Sequence, residues 1–255
     1  MIRLAWMALL LALVTPRVAA GTPAQGARDL DAQALAAYRA EDWDGATALW
    51  TAALDRGDVS DRERARWMTN LGNAAARRDD WTRAAAWFEA SLRLRPRDGA
   101  TREKLEYARS EAGWPPLDRG DLASTTARLL GALTADEARW LALLGLLPLA
   151  GALAGEALRG GRAWRRAAWV ALALWALTLA PCVHRATRTQ DALLVTAPGG
   201  AAARAEPRDT AERLERLPAG SYWRRLDALP GWVKLAGPDG REAWAPEGDL
   251  FALDR

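Results

Sequence analysis

Two long apolar segments, separated by a short arginine-rich stretch, constrain this chain more than any other feature. The first covers residues 140–158 and is uncharged until Glu156, and the second covers residues 167–183 without a charge. At about 1.5 Å per helical residue they are about 28 and 26 Å long, close to a bilayer core of about 30 Å. The sequence therefore predicts two transmembrane helices, over residues 138–158 and 167–184.

The stretch between the two apolar segments, residues 159–166, sets the orientation of this hairpin. It contains no acidic residue and four arginines, namely Arg159, Arg162, Arg165 and Arg166. Short arginine-rich loops stay on the cytoplasmic side of a membrane, so the rest of the chain is expected on the other side. The alternative is a buried helical hairpin in a soluble protein, because apolar runs shorter than about 18 residues also form core helices.

The N-terminus has the layout of a secretory signal peptide over residues 1–20. Arg3 precedes an apolar run over residues 4–14, and small residues follow at Val18 and Ala20. We expect cleavage after Ala20, and retention of the segment as a third anchor is the alternative. Export agrees with the orientation that the arginines predict.

Composition argues against several classes of function. Cys182 and His184 are the only residues of their types, which excludes an intrachain disulfide and a cysteine and histidine cluster for zinc. The chain has no Gly-rich phosphate loop, no His-Glu-x-x-His helix and no Gly-x-Ser-x-Gly elbow. We therefore expect no enzyme activity, no metal and no cofactor. The net charge of +3 favours an anionic membrane surface over nucleic acid, although scattered solvated arginines explain it equally well.

Residues 28–112 have helical periodicity and contain an internal repeat. The string Trp43-Asp-Gly-Ala46 returns as Trp81-Thr-Arg-Ala84, an offset of 81 − 43 = 38 residues. Without a four-residue excess in the polar loop over residues 55–64, the offset is about 34, the tetratricopeptide period. This region resembles the tetratricopeptide repeat family, which implies an all-α array of helical repeats.

The resemblance is closest over residues 65–98. Gly72 and Ala84 are small where two helices must approach closely, and Pro96 closes the repeat. A further helix over residues 101–111 would cap the array, which has fewer than the three repeats usually needed. The resemblance implies a concave groove for a peptide or partner helix. It would be lined by Arg66, Thr69, Asn73 and Arg77, with Tyr107 from the capping helix. A solvated helix face explains the two arginines equally well.

Residues 113–137 connect the array to the first apolar segment. Four leucines, at positions 122, 129, 130 and 133, can form a stripe on a short amphipathic helix at the membrane surface. Thr134-Ala-Asp-Glu137 has the capping-box pattern that begins a helix just outside the bilayer. In the helix that follows, Gly151 and Gly155 are spaced for close packing against the second span.

After a linker over residues 185–190, residues 191–255 change to short alternating segments broken by proline and glycine. This pattern is typical of a small all-β module. Strands are predicted over residues 193–195, 202–204, 222–226, 232–235 and 242–245. Pro238-Asp-Gly240 is expected to form a tight turn between the last two.

The all-β region resembles the bacterial SH3-like domain in its strings Gly231-Trp-Val233, Asp239-Gly-Arg241 and Trp244-Ala-Pro246. We expect Trp232 and Trp244 to fill the core of this small SH3-like barrel, because an aromatic side chain buries a large area. The alternative places them with Tyr222 in a ligand groove. Some relatives bind cell-wall peptides, which makes peptidoglycan a possible ligand.

The order of parts resembles the BatE-type proteins of bacterial aerotolerance operons over the whole chain, including the string Leu105-Glu-Tyr107. The resemblance implies a multidomain, non-catalytic scaffold in the bacterial inner membrane with both folded domains in the periplasm. Its implied partners are von Willebrand factor A-type membrane proteins and a MoxR-type ATPase. The alternative function is an envelope protein that binds peptidoglycan peptides through its SH3-like domain.

Overall fold

The structure is a computed structural model, and it describes residues 25–56, 59–117, 122–189, 191–237 and 239–253. The signal peptide predicted for residues 1–20 lies outside the described residues. Within them, the chain forms eight helices followed by a five-stranded antiparallel sheet. This division agrees with the predicted all-α and all-β regions.

Five helices make up the N-terminal array: α1 Gln25–Arg39, α2 Trp43–Asp55, α3 Asp61–Arg77, α4 Trp81–Leu94 and α5 Gly99–Glu111. The residues before α2, α3, α4 and α5 are Asp42, Ser60, Asp80 and Asp98, and each side chain accepts a hydrogen bond from the amide three residues on. These caps satisfy amides that have no partner inside the helix, so they fix where each helix begins. Consecutive helices of the array pack against each other.

The core of the array depends on close approach between α3 and α4. Trp67 and Leu71 of α3 are fully buried. A Cβ atom on Gly72 would lie 2.5 Å from the ring of Phe88, so only glycine fits without movement of the ring. Ala84 is also fully buried. The predicted role of small residues at these two positions is confirmed.

Three further helices follow: α6 Leu122–Gly131, α7 Ala135–Arg159 and α8 Arg162–Thr189. Thr134 and Glu137 form the predicted capping box at the start of α7. α7 and α8 pack side by side as a hairpin, and the indole nitrogen Nε1 of Trp175 donates to the carbonyl oxygen of Ala142 at 3.0 Å. A Cβ on Gly155 would collide with the ring of Trp164. Gly155 therefore lies at the helix contact.

Three details of the predicted hairpin were wrong. Gly151 does not share the role of Gly155, because among the described residues nothing would contact a Cβ at this position. The arginine-rich stretch is not a turn of eight residues, since only Gly160 and Gly161 lie outside α7 and α8. α8 also continues through Pro181 to Thr189, because a proline removes one helical hydrogen bond without having to end the helix.

α7 and α8 are long enough and apolar enough to cross a membrane. In the most apolar 18-residue window of each helix, 6% and 17% of the residues are buried. Large apolar side chains such as Leu147 and Leu177 are 67% and 69% exposed. The core hairpin of a soluble protein would bury these side chains, so the exposure argues against that alternative.

The sheet consists of β1 Ala192–Val195, β2 Tyr222–Leu229, β3 Trp232–Ala236, β4 Glu242–Pro246 and β5 Leu250–Ala252, in the order β4-β3-β2-β1-β5. The tight turn between β3 and β4 is confirmed, since the amide of Gly240 donates to the carbonyl of Gly237 at 3.1 Å. The strand predicted over residues 202–204 was wrong, because this segment forms only isolated bridges at Arg204. β5 was not predicted, and it follows a short 3₁₀ helix, Glu247–Asp249.

The expected core role of Trp232 and Trp244 was also wrong. Val233 and Leu235 of β3 point into the sheet core, and so do the alanines of β4. Successive strand residues point to opposite faces, so Trp232 and Trp244 lie on the outer face, where both are half-buried. The tryptophan of the core is Trp223, which is 7% exposed.

β1 is buried on both of its faces. Leu193 and Val195 belong to the core of the sheet, whereas Leu194 belongs to the core of the helical array. Phe251 of β5 and Leu253 join the array core with it. One edge of the sheet is therefore covered by the array, and the two regions share a continuous apolar core.

Candidate binding surfaces

Side chains from α1, α3 and α5 bridge these helices on one face of the array, which we call the odd-helix face. Its bridging residues are Arg28, Asp31, Glu63, Arg66, Thr69, Asn73, Thr101 and Lys104. Three of the five residues predicted for the groove, Arg66, Thr69 and Asn73, are among them. The structure therefore brings these three together along α3.

Two ion pairs connect α1 to α3. Arg28 Nε lies 3.2 Å from Glu63 Oε1, and Arg66 Nη2 lies 2.5 Å from Asp31 Oδ2. The other oxygen of Asp31, Oδ1, accepts a hydrogen bond of 2.9 Å from Nε1 of Trp50. A buried carboxylate needs such partners because desolvation is costly. Arg66 therefore has a structural partner within the array as well as an exposed position.

Polar contacts also connect α3 to α5. Lys104 Nζ donates to Asn73 Oδ1 at 3.0 Å, and the hydroxyl oxygens of Thr69 and Thr101 are 3.3 Å apart. The Thr69 hydroxyl also lies 2.9 Å from that of Ser91 in α4. Thr69 is thus tied into the packing of the array, which leaves Asn73 and Lys104 as the more accessible pair.

In both ion pairs of the odd-helix face the cation is much more exposed than the anion. The side chains of Arg28 and Glu63 are 57% and 21% exposed, and those of Arg66 and Asp31 are 54% and 9% exposed. Lys104 is also exposed, whereas Asn73 is half-buried. The outermost charges of this face are therefore positive, although the pairs themselves are neutral.

Glu63 is fixed as an anion by its surroundings. The Ser60 hydroxyl donates to Oε2 at 2.8 Å, and this hydrogen bond, followed by contributions from the Ser60 amide and Arg28, holds the pKa of Glu63 below its ordinary value. The carboxylate closes the capping box of α3 while it binds α1. The ion pair is therefore linked to the start of the helix.

The remaining two predicted groove residues lie at the C-terminal ends of their helices and contact tryptophans. The Arg77 guanidinium lies 5.8 Å from the ring centroid of Trp43, and the Tyr107 ring is 5.6 Å from that of Trp81 in an edge-to-face arrangement. Tyr107 remains 59% exposed. Both residues reach the first residue of an even-numbered helix rather than the bridges between α1, α3 and α5.

The sequence interpretation missed Arg28, Asp31, Glu63 and Lys104. Their signal was present in the spacing, because Arg28 and Glu63, like Asp31 and Arg66, are separated by 35 residues. This separation is close to the repeat period of about 34 residues, which places equivalent positions of successive repeats side by side. Complementary charges at this spacing indicate contact between neighbouring repeats.

A second exposed surface lies on the outer face of β3 and β4. Trp232 pairs with Pro246 in the strand register, and Lys234 pairs with Trp244. Lys234 Nζ also lies 2.7 Å from Glu242 Oε2. The lysine between the two tryptophans is the sequence signal for this outer orientation. Trp232 and Trp244 therefore share one face, as a ligand groove requires.

Tyr222 does not belong to the β3–β4 surface in the way that the groove prediction assumed. It pairs with Leu194 of β1, which in turn pairs with Phe251 of β5, so these three residues form one cross-strand row. The row faces the helical array. The ring of Phe251 meets that of Trp87 in α4 edge-to-face, with centroids 4.7 Å apart.

Two further contacts join the sheet to the array. Gly220, just before β2, adopts a φ of +73°, and a Cβ on it would lie 2.7 Å from the indole of Trp114. Trp114 is buried beneath the Arg109 guanidinium, whose carbon lies 5.5 Å from the indole centroid. Arg109 also donates from Nε and Nη2 to the carbonyl of Pro115, at 3.1 and 2.8 Å. The segment after α5 thus forms part of the docking site for the sheet.

The hydroxyl of Tyr222 ends among charged groups of the array. It donates a hydrogen bond to the carboxylate of Glu89, near Arg109 and Arg93. The residue as a whole is 38% exposed, but its hydroxyl end is enclosed by the two regions. Burial, followed by the charge of Glu89, raises the pKa of Tyr222 far above its ordinary value, despite the opposing arginines. Tyr222 therefore acts as a neutral hydrogen-bond donor in this contact.

The two ends of the α7–α8 hairpin differ in charge and contacts. Arg159 closes α7, and Arg162, Arg165 and Arg166 lie in the first turns of α8. The Arg159 guanidinium lies 5.9 Å from the ring centroid of Trp164. At the other end, Arg97 of the array forms a double hydrogen bond with Glu137, at 3.0 and 3.1 Å. The array is thus attached at the end opposite the four arginines.

Across the described residues, no group of three or more histidine, cysteine, aspartate or glutamate side chains is arranged to hold a metal ion. Comparison of the chain with protein-family models, with curated proteins and with solved structures finds no match. The candidate surfaces therefore stand on their own geometry.

Proposed function

We propose that this chain is a non-catalytic adaptor of the BatE type, anchored in the bacterial inner membrane by α7 and α8. It presents its helical array and its SH3-like sheet to partner proteins in the periplasm. The observation that carries the proposal is the odd-helix face, on which Arg28, Arg66 and Lys104 point outward from internally paired bridges. A tetratricopeptide array uses this face to bind a peptide or helix, and the outward cations favour an acidic segment.

The four arginines beside Gly160 and Gly161 support the proposed orientation, because positive charge stays in the cytoplasm. The attachment of the array at the opposite end of the hairpin supports it too. A reporter that is active only in the periplasm tests this arrangement when it is fused after Arg255, and a second copy inserted between Gly160 and Gly161 serves as the control. An inactive C-terminal fusion, or an active insertion, would overturn the topology.

Photo-crosslinking tests the partner surface. We place a photoreactive residue at position 66 or 104 of the full chain in cells, and a matched control at Arg83, which is exposed on α4. The proposal expects crosslinked partner proteins from positions 66 and 104 but not from position 83. By the BatE resemblance, these partners include von Willebrand factor A-type membrane proteins or a MoxR-type ATPase complex. Equal crosslinking from all three positions would refute a specific face.

A second candidate function is the binding of peptidoglycan peptides by the outer face of β3 and β4. It is favoured by the shared orientation of Trp232 and Trp244, since paired half-buried aromatics suit stacking against a ligand. Retention of the detergent-solubilised full chain on purified cell-wall sacculi tests it. We expect Trp232→Ala and Trp244→Ala to reduce retention, while Arg66→Ala leaves it unchanged. Retention that is insensitive to both tryptophans would rule this function out.

A further inference from the structure

Helix α6, Leu122–Gly131, has an apolar face that the described chain leaves uncovered. Leu122 is 87% exposed and Leu129 is 68% exposed. These leucines are seven residues apart, which is two helical turns, so they share one face of α6 with Thr126 between them. The Thr126 hydroxyl donates to the carbonyl of Leu122 at 2.7 Å. The polar group on this face is therefore satisfied without water.

The position of α6 indicates what covers that face. α6 packs against α8, and it ends at Gly131, shortly before the N-cap of α7 at Thr134. It therefore lies at the end of the hairpin where both apolar helices meet the array. There its leucines continue the exposed apolar surface of α7, on which Leu144 and Leu147 are 57% and 67% exposed.

We propose that α6 lies along the membrane surface, with Leu122 and Leu129 inserted among the lipids at the boundary between headgroups and acyl chains. A short helix with one apolar face binds a bilayer in this way. The inference rests on the proposed membrane anchoring by α7 and α8. Its consequence is that the array is held against the bilayer at two points, α6 and the Arg97–Glu137 contact, so the odd-helix face has a fixed height above the membrane.

Depth-dependent fluorescence quenching tests this placement. Because Cys182 is the only cysteine, a Cys182→Ser chain accepts single cysteines for a small environment-sensitive probe. The labelled full chains carry Leu122→Cys, Leu129→Cys or one of two references. Leu147→Cys reports the bilayer interior, and Glu103→Cys reports an exposed position on α5. Vesicles contain equal parts of zwitterionic and anionic phospholipid, with a nitroxide either near the headgroup or near the end of the acyl chain.

We expect the probes at positions 122 and 129 to be quenched more by the headgroup nitroxide than by the chain-end nitroxide. The probe at position 147 is expected to show the reverse order, and the probe at position 103 little quenching by either. If positions 122 and 129 behave like position 103 while position 147 is quenched, α6 does not lie in the membrane although the hairpin does. If position 147 is also unquenched, the proposed anchoring itself fails.

Discussion

Replacement of Phe251 by alanine tests whether the sheet and the helical array are one structural unit. Phe251 is 7% exposed and meets Trp87 edge-to-face at 4.7 Å. Truncation of a buried phenylalanine typically costs about 3–5 kcal/mol, through lost burial and the cavity left behind. An aromatic pair supplies about 0.5–1.5 kcal/mol beyond area burial. Because Phe251 is close to the end of β5, where the chain can relax, we expect a cost near the lower limit, about 3 kcal/mol.

Hydrogen exchange measured by mass spectrometry reads this cost segment by segment. A loss of about 3 kcal/mol raises the population of the opened state by about two orders of magnitude. In Phe251→Ala we expect faster exchange in β1 and β5 and also in α4, because the array loses part of its cover. Leu235→Ala is the matched control, since Leu235 is fully buried in the sheet core away from the array. It should accelerate exchange in the sheet and leave α4 unchanged.

A double-mutant cycle isolates the ring contact itself. Trp87→Leu and Phe251→Leu each remove one ring and keep an apolar side chain. We expect the two free-energy changes to be non-additive by about 0.5–1.5 kcal/mol. Unchanged protection of α4 in Phe251→Ala, together with additive effects in the cycle, would refute the shared core.

Three further predictions concern single contacts. Because the folded-state pKa of Tyr222 lies above its ordinary value of about 10, its contribution to stability is complete below that pH and is lost as the pH rises beyond it; Tyr222→Phe should weaken this alkaline dependence in urea titrations. Gly220→Ala should lower the free energy of unfolding by more than the control Gly231→Ala, since both glycines have positive φ but only Gly220 would collide with an indole, and the shared backbone cost is about 1–2 kcal/mol. Gly155→Leu should separate α7 from α8, seen as lost crosslinking between paired cysteines on the two helices, whereas Gly151→Leu should not.

Each of these three has a plain contrary result. An unchanged alkaline transition in Tyr222→Phe would mean that the hydroxyl does not contribute to docking. Equal destabilisation by the two glycine substitutions near β2 and β3 would remove the proposed contact with Trp114. Equal crosslinking in Gly155→Leu and Gly151→Leu would place the helix contact elsewhere.

The helical part of the fold could be predicted from the sequence to a large extent. The caps of α3 and α7 act within one helical turn, and the apolar hairpin is defined by its length and lack of charge. Such signals are local, so they need no knowledge of distant residues. The end of α8 was harder to predict, because Pro181 is compatible both with a helix end and with a continuing helix.

The candidate surfaces were predicted only in part. The repeat period located α3 correctly and selected Arg66, Thr69 and Asn73, but it did not identify their partners on α1 and α5. Arg77 and Tyr107 were assigned to the groove although they contact tryptophans at helix ends. These errors arise because a helical position has several neighbours three or four residues away, and only packing selects which neighbour it meets.

The sequence by itself determined that this chain forms a helical array, an apolar hairpin and a small sheet, because periodicity, caps and apolar length are written locally. Only the tertiary structure decided which faces are buried. In a strand, a shift of one residue moves every side chain to the other face, so short strands such as β5 carry little information about orientation. For this reason Trp232 and Trp244 lie outside the sheet core, while Tyr222 and Phe251 join the sheet to the array.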